Sequence, residues 1–128
     1  MNNQLVRPVG TSSVENLING PIPPALTTGV LIRGGQGVLL RGTVLALSAE
    51  NEDMVALGTE PEDDEILTAN CILTDPVDAT GDEAVPAVAY RAGHFNRPAL
   101  IFANDYELTK KDEENLRHGG IFLSDALA

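Results

Sequence analysis

Tryptophan is absent from the 128-residue chain, cysteine occurs once, and only five residues are aromatic: Tyr90, Phe95, Phe102, Tyr106 and Phe122. With so few large anchors, a core must be assembled mainly from Val, Leu, Ile and Ala. The lone Cys71 cannot form an internal disulfide, which fits a reducing compartment. Bases are scarce too: eight against nineteen acids, a formal charge of −11. That shortage argues against nucleic acid, which needs a positive face to displace counterions, and against an anionic membrane surface. No apolar run approaches the ~20 residues that span a bilayer, and Met1 to Gly10 has no signal-peptide core.

What is present fits one domain. A chain of this size hides roughly two-thirds of its unfolded surface, enough for one core. The first 29 residues read as an extended arm. They hold Pro8, Pro21, Pro23 and Pro24, many Asn, Ser and Thr, and Glu15 as the one acid. Proline excludes Pro21 to Pro24 from a helix interior or a central strand. Apolar residues punctuate the arm at Leu5, Val6, Val9, Val14, Leu17, Ile18, Ile22 and Leu26. Such an arm packs either on its own domain or on a partner.

From Val30 the pattern turns β. Strands are expected at Val30 to Ile32, Val38 to Leu40, Thr43 to Leu47, Met54 to Leu57, Ala69 to Leu73, Val85 to Arg91 and Ile121 to Leu123, separated by Gly- and Pro-rich turns. Gly42 marks a bend, Pro86 puts the start of its strand at an edge, and Gly93 to Asn96 reads as a break. Ala99 to Ala103 is either strand or buried turn. One short helix is expected over about Lys110 to His118. Thr109 and Asp112 form a capping-box pattern, Glu113 and Arg117 pair at i,i+4, Leu116 is the apolar contact, and Gly119-Gly120 is the stop. The composition predicts a mainly-β domain.

Chemistry-bearing patterns are weak. No Lys or Arg lies between Arg41 and Arg91, while twelve acids do. Glu60 to Glu65 holds five acids and a proline in six residues and reads as a solvated loop. Asp75 to Glu83 suits a hairpin loop, in which Asp75, Asp78 and Asp82 could converge on a hard cation. Their spacing does not match an EF-hand loop, and a solvated loop is the better reading. His94 and His118 have no metal-ligand spacing, and zinc would need Cys71 from another strand. Cys71 itself, in an apolar run, reads as a small buried hydrophobe. No orienting group or oxyanion donor marks a Cys–His pair. Gly34-Gly35-Gln36-Gly37 opens no helix and has no Lys-Ser/Thr after it, so a turn is the better reading. No standard enzyme motif is present.

Three segments, in order, carry a resemblance. Gly37-Val38-Leu39-Leu40-Arg41-Gly42-Thr43-Val44-Leu45 resembles the opening strands of lambda-type phage head decoration proteins. Ala87-Val88-Ala89-Tyr90-Arg91-Ala92-Gly93-His94-Phe95-Asn96 is similar to that family's strand ending in an aromatic, followed by a glycine and a second aromatic. Leu116-Arg117-His118-Gly119-Gly120-Ile121-Phe122-Leu123 looks like its short helix, glycine stop and last strand. The likeness covers about Val30 to Leu127. It implies a small β-clip-like domain, residues 30–128, behind an arm, residues 1–29, with no catalysis and no cofactor or metal. It further implies homotrimers on the outer surface of an expanded capsid in the virion, made in the bacterial host cytoplasm. There they clamp the major capsid protein against DNA pressure, and the arm orders by pairing with capsid strands.

Several residues follow from this reading. Leu5, Val6, Arg7, Pro8 and Val9 are the expected capsid-binding residues, since an apolar segment beside a proline suits strand addition to a partner sheet. Tyr90, Gly93 and Phe95 are the expected structural residues. The acidic stretch Glu50 to Glu83 departs from the family, so no contact is carried over to it. An acidic metal-binding module or enzyme using Asp75, Asp78, Asp82 and His94 is the alternative. A head-completion or tail protein is a third option, which would form six- or twelve-fold rings.

Overall fold

A computed structural model describes residues 16–125. Eight strands and one α-helix make it a mainly-β domain, as the composition predicts. The strands are β1 (Leu26–Ile32), β2 (Gly37–Leu39), β3 (Val44–Ser48), β4 (Met54–Ala56), β5 (Leu67–Leu73), β6 (Val77–Ala79), β7 (Val85–Asn96) and β8 (Ile121–Ser124). The helix, α1, spans Lys110–Gly119. Six strands form one sheet in the order β1-β4-β3-β5-β7-β8, and a further β1–β7 pairing closes five of them into a circuit. A closed circuit leaves few unpaired edges to recruit other chains.

The centre of the circuit is the apolar run the sequence marks. Val44, Leu45 and Ala46 of β3 are fully buried between β4 and β5, together with Val55, Cys71, Ile72 and Leu73. A short strand buried on both faces reads as continuous apolar sequence rather than as alternation. Beyond β7 the chain turns through a short 3-10 segment at Arg97–Ala99. It then runs back along the circuit, where Val44 N–H donates to Ile101 O and Ala103 N–H to Leu57 O. The Ala99 to Ala103 stretch is thus a covering turn with a single bridge, Thr43 to Ile101.

Helix α1 forms as its caps dictate. The Thr109 side chain accepts from Asp112 N–H, and Asp112 returns the bond to Thr109 N–H. Gly120 ends the helix with φ of 110°, a left-handed conformation that glycine adopts without strain. Leu116 is fully buried under it. The expected Glu113–Arg117 pair is not formed. Glu113 bonds Arg97 from the 3-10 segment, and Arg117 turns to Glu114 instead.

Four features differ from expectation. Strand β1 begins at Leu26, four residues before Val30, in register with Ala92 of β7. Leu17, inside the expected arm, is buried in the core, because the backbone of Leu17 and Asn19 bonds to β7 at Asn96 and His94. The stretch Asp75 to Glu83 is not only loop, since Val77–Ala79 pairs with Gly37–Leu39 as a separate two-stranded sheet. Finally, β7 does not break at Gly93. It continues to Asn96 while changing partners: β1 and β5 flank its first part, and β8 runs parallel to Gly93 to Asn96. Gly93 makes the change possible with φ of 146°, open to glycine and strained for other residues. Pro86 lies where β7 is laddered to β1 alone among the described residues, so its missing N–H leaves no broken ladder.

Candidate functional site

The described surface offers four kinds of place where chemistry could reside. The first is the acidic middle. Glu65 is not solvated, as its sequence context suggests, but buried. Its carboxylate accepts from both terminal nitrogens of Arg33, from Ser48 Oγ at 2.5 Å and from Asn51 Nδ2 at 3.0 Å. Arg33 also holds Asp53 through two bonds, at 3.0 and 2.8 Å. The Arg33 guanidinium and then the Ser48 hydroxyl hold the Glu65 carboxyl far below the usual carboxylate range. In turn Asp53, then Glu65, push the guanidinium further up. Every member is satisfied, so this cluster is a structural pin. Its cation comes from β1's end, upstream of the acid-rich stretch, and so no local spacing announces it.

The second place is the alternative ligand set. Asp75, Asp78, Asp82 and His94 are not brought together. The Asp78 carboxylate is held low by the Thr80 side chain and then by its backbone N–H. Asp75 accepts from Thr74 Oγ1. His94 lies on β7 with Nε2 2.7 Å from Ser124 Oγ. Among the described residues, no group of three or more His, Cys, Asp or Glu is placed to hold a metal ion. Cys71 is fully buried, and burial pushes its thiol up to about 12. It is the small hydrophobe its sequence context suggests and no nucleophile at neutral pH.

The third is the aromatic hinge of β7. Phe95 is fully buried, its ring centroid 5.2 Å from that of Tyr90. Tyr90 in turn receives Arg41, whose Nη1 donates to the Tyr90 hydroxyl at 2.7 Å and to Thr74 O at 3.1 Å. Gly93, where the strand takes β8 as a partner, lies between them.

The fourth is apolar surface. On the outer face of β1 and β7, Leu31 lies opposite Pro86 and Gly29 opposite Val88, and Leu31 and Val88 are about half exposed. No charged side chain interrupts that register. A groove of about 410 Å³ lies elsewhere, lined by Leu17, Leu40, Arg41, Pro76, Pro98 and Ile101. Leu5, Val6, Arg7, Pro8 and Val9 lie outside the described residues.

The described residues form a closed mainly-β circuit with open apolar patches on its surface. The chain belongs to the bacteriophage lambda head decoration protein D family, whose model matches residues 15–121. It is therefore a phage head decoration protein, associated with the capsid of the virion, and its family is a structural rather than an enzyme class. No curated protein matches the chain.

Proposed function

We propose that the protein binds the outer surface of the expanded capsid as homotrimers and stabilises the shell of major capsid protein against internal DNA pressure. The family match across residues 15–121 carries this reading. The surface is consistent with it. A −11 chain does not attract free DNA, and an uncharged ladder of Leu31, Pro86 and Val88 suits contact with protein. A modest core gains stability when copies associate.

The arm is the proposed capsid contact, with Leu5, Val6, Arg7, Pro8 and Val9 adding an edge strand to a capsid sheet. The test is to mix purified protein with expanded, undecorated capsids and image them. Three-fold density at the three-fold and quasi-three-fold positions is expected. Removing residues 1–15 spares the buried Leu17. The shortened chain should melt like the full one and no longer bind capsids; binding at unchanged affinity would remove the arm from the proposal.

A further inference from the structure

Arg41 is held ready for an anion that the described residues do not supply. Arg33, Arg97 and Arg117 each grip a carboxylate. Arg41 is half-buried and bonds only neutral oxygens, Thr74 O and the Tyr90 hydroxyl, both through Nη1. Its guanidinium carbon lies 5.6 Å from the Tyr90 ring centre. Arg91 has no carboxylate either among the described residues, but it is exposed; Arg41 differs in being half-buried and held in place by Tyr90 and Thr74, in a chain with more than twice as many acids as bases. The groove beside it is apolar, walled by Leu40, Pro76, Pro98 and Ile101. It fits an aliphatic side chain with a carboxylate close by.

Among the described residues two exposed places carry that combination, Val38 opposite Asp78 and Ile66 beside Asp64; Val38 and Asp78 stand two residues from Leu40 and Pro76 of the groove itself, which leaves Ile66 as the knob. Ile66 is 66% exposed, the second most exposed of the large described hydrophobics. Asp64, two residues before it, is exposed as well, while Glu65 between them points inward and is pinned by Arg33, Ser48 and Asn51. With Glu65 pinned inward, Asp64 and Ile66 both stand on the outer side. Ile66 immediately precedes β5, and Thr74, which orients Arg41, immediately follows it. A strand of this length separates its ends by more than about 20 Å. Knob and groove therefore cannot meet within one chain, and they can meet between copies.

We infer that the Asp64–Ile66 knob of one copy seats in the Arg41 groove of the next, with Ile66 against Leu40 and Ile101 and Asp64 facing the Arg41 guanidinium. The inference rests on the homotrimer proposed above and names its contact. Because knob and groove are different surfaces, the contact is head-to-tail, which a ring of three closes.

Charge reversal tests this. Arg41→Glu, Asp64→Arg and the double variant are compared with the unaltered chain, by sedimentation equilibrium and on expanded, undecorated capsids. Each single variant should weaken trimer formation about tenfold or more, since like charges then face each other. The double variant, which restores an opposite pair at each contact, should recover most of it. Arg41→Glu also loses the Tyr90 bond, so its melting is measured alongside, at concentrations too low for association; Asp64 is exposed, and Asp64→Arg should melt normally there. Full-strength trimers with Asp64→Arg, or a double variant no better than Arg41→Glu, overturn the contact while leaving the trimer standing. Absence of three-fold assembly by the unaltered chain, both free and on capsids, overturns the trimer and the contact together.

Discussion

The ring of Phe95 occupies the space that a Cβ on Gly93 would need: such an atom would lie 2.8 Å from Cε2 and Cζ of that ring. The two residues are one device. Gly93 adopts the φ that lets β7 leave β1 and β5 for β8, and Phe95 fills the space left by the missing side chain. Phe95→Ala should destabilise the domain by roughly 3–5 kcal/mol, as expected for a fully buried ring. Gly93→Ala should also destabilise it, by about 1–3 kcal/mol for the backbone conformation alone. His94→Ala, at a half-buried position bonded to Ser124, should change the melting temperature much less. Thermal melts of the three variants decide the matter; a silent Phe95→Ala would remove the hinge from the account of this segment.

Arg33 should be the most consequential base in the described chain. Arg33→Ala leaves Glu65 buried without its cation, and breaking such a pair costs about 3 kcal/mol or more. Arg117→Ala removes only an exposed pair with Glu114 and should change stability by less than ~1 kcal/mol. Urea unfolding midpoints of the two variants provide the comparison.

Acid should unfold the domain partly through Glu65. Its folded-state affinity for a proton is depressed, so below the unfolded carboxylate value, about 4.3, the unfolded chain takes up protons that the folded one refuses. The stabilisation is full above that value and is lost as pH falls below it toward the folded value. A stability-against-pH curve between pH 6 and 2 should slope more gently in Glu65→Gln than in the unaltered chain. Equal slopes would show that Glu65 does not contribute.

Thr109→Ala removes the capping side chain of α1 and should cost about 1 kcal/mol. Asp112, which also receives the Tyr106 hydroxyl, is tied to two neighbours, so Asp112→Ala should cost more than Thr109→Ala. Denaturant midpoints measure both.

By contrast, exchanging Asp63 and Asp64 for Asn should leave the stability of the single domain, at concentrations too low for association, within ~0.5 kcal/mol. Asp63 has φ of 50°, a conformation asparagine also tolerates. Loss of folding would mean that these acids are structural after all.

The features legible in the sequence are those encoded locally. The helix follows from Thr109, Asp112 and Gly120, all within eleven residues of one another. The apolar runs that become β3, β4 and β5 follow from their own composition. The glycine and aromatic pattern from Tyr90 to Phe95 is one of the three ordered segments that carry the family resemblance. The features that escaped depend on distant partners. Glu65 looks like one acid in a solvated run until Arg33, from the end of β1, reaches it. The pairing of Val77–Ala79 with Gly37–Leu39 spans some forty residues, and its short strands give too few positions for a period to show. Leu17 resembles the rest of a proline-rich arm, and only its bonds to β7 set it apart. In the apolar groove, Arg41 looks like any base until its neutral partners, Thr74 O and the Tyr90 hydroxyl, are set beside the carboxylates held by Arg33, Arg97 and Arg117.

Leu17 and Asn19 bond to β7 between His94 and Asn96, on a stretch whose other side is laddered to β8. In mechanical terms this is where a load would enter. A pull on residues preceding Asn16 passes through that junction into a twelve-residue strand that touches β1, β5 and β8. Tension from outside the domain that crosses this junction is thereby passed on to three neighbouring strands through β7.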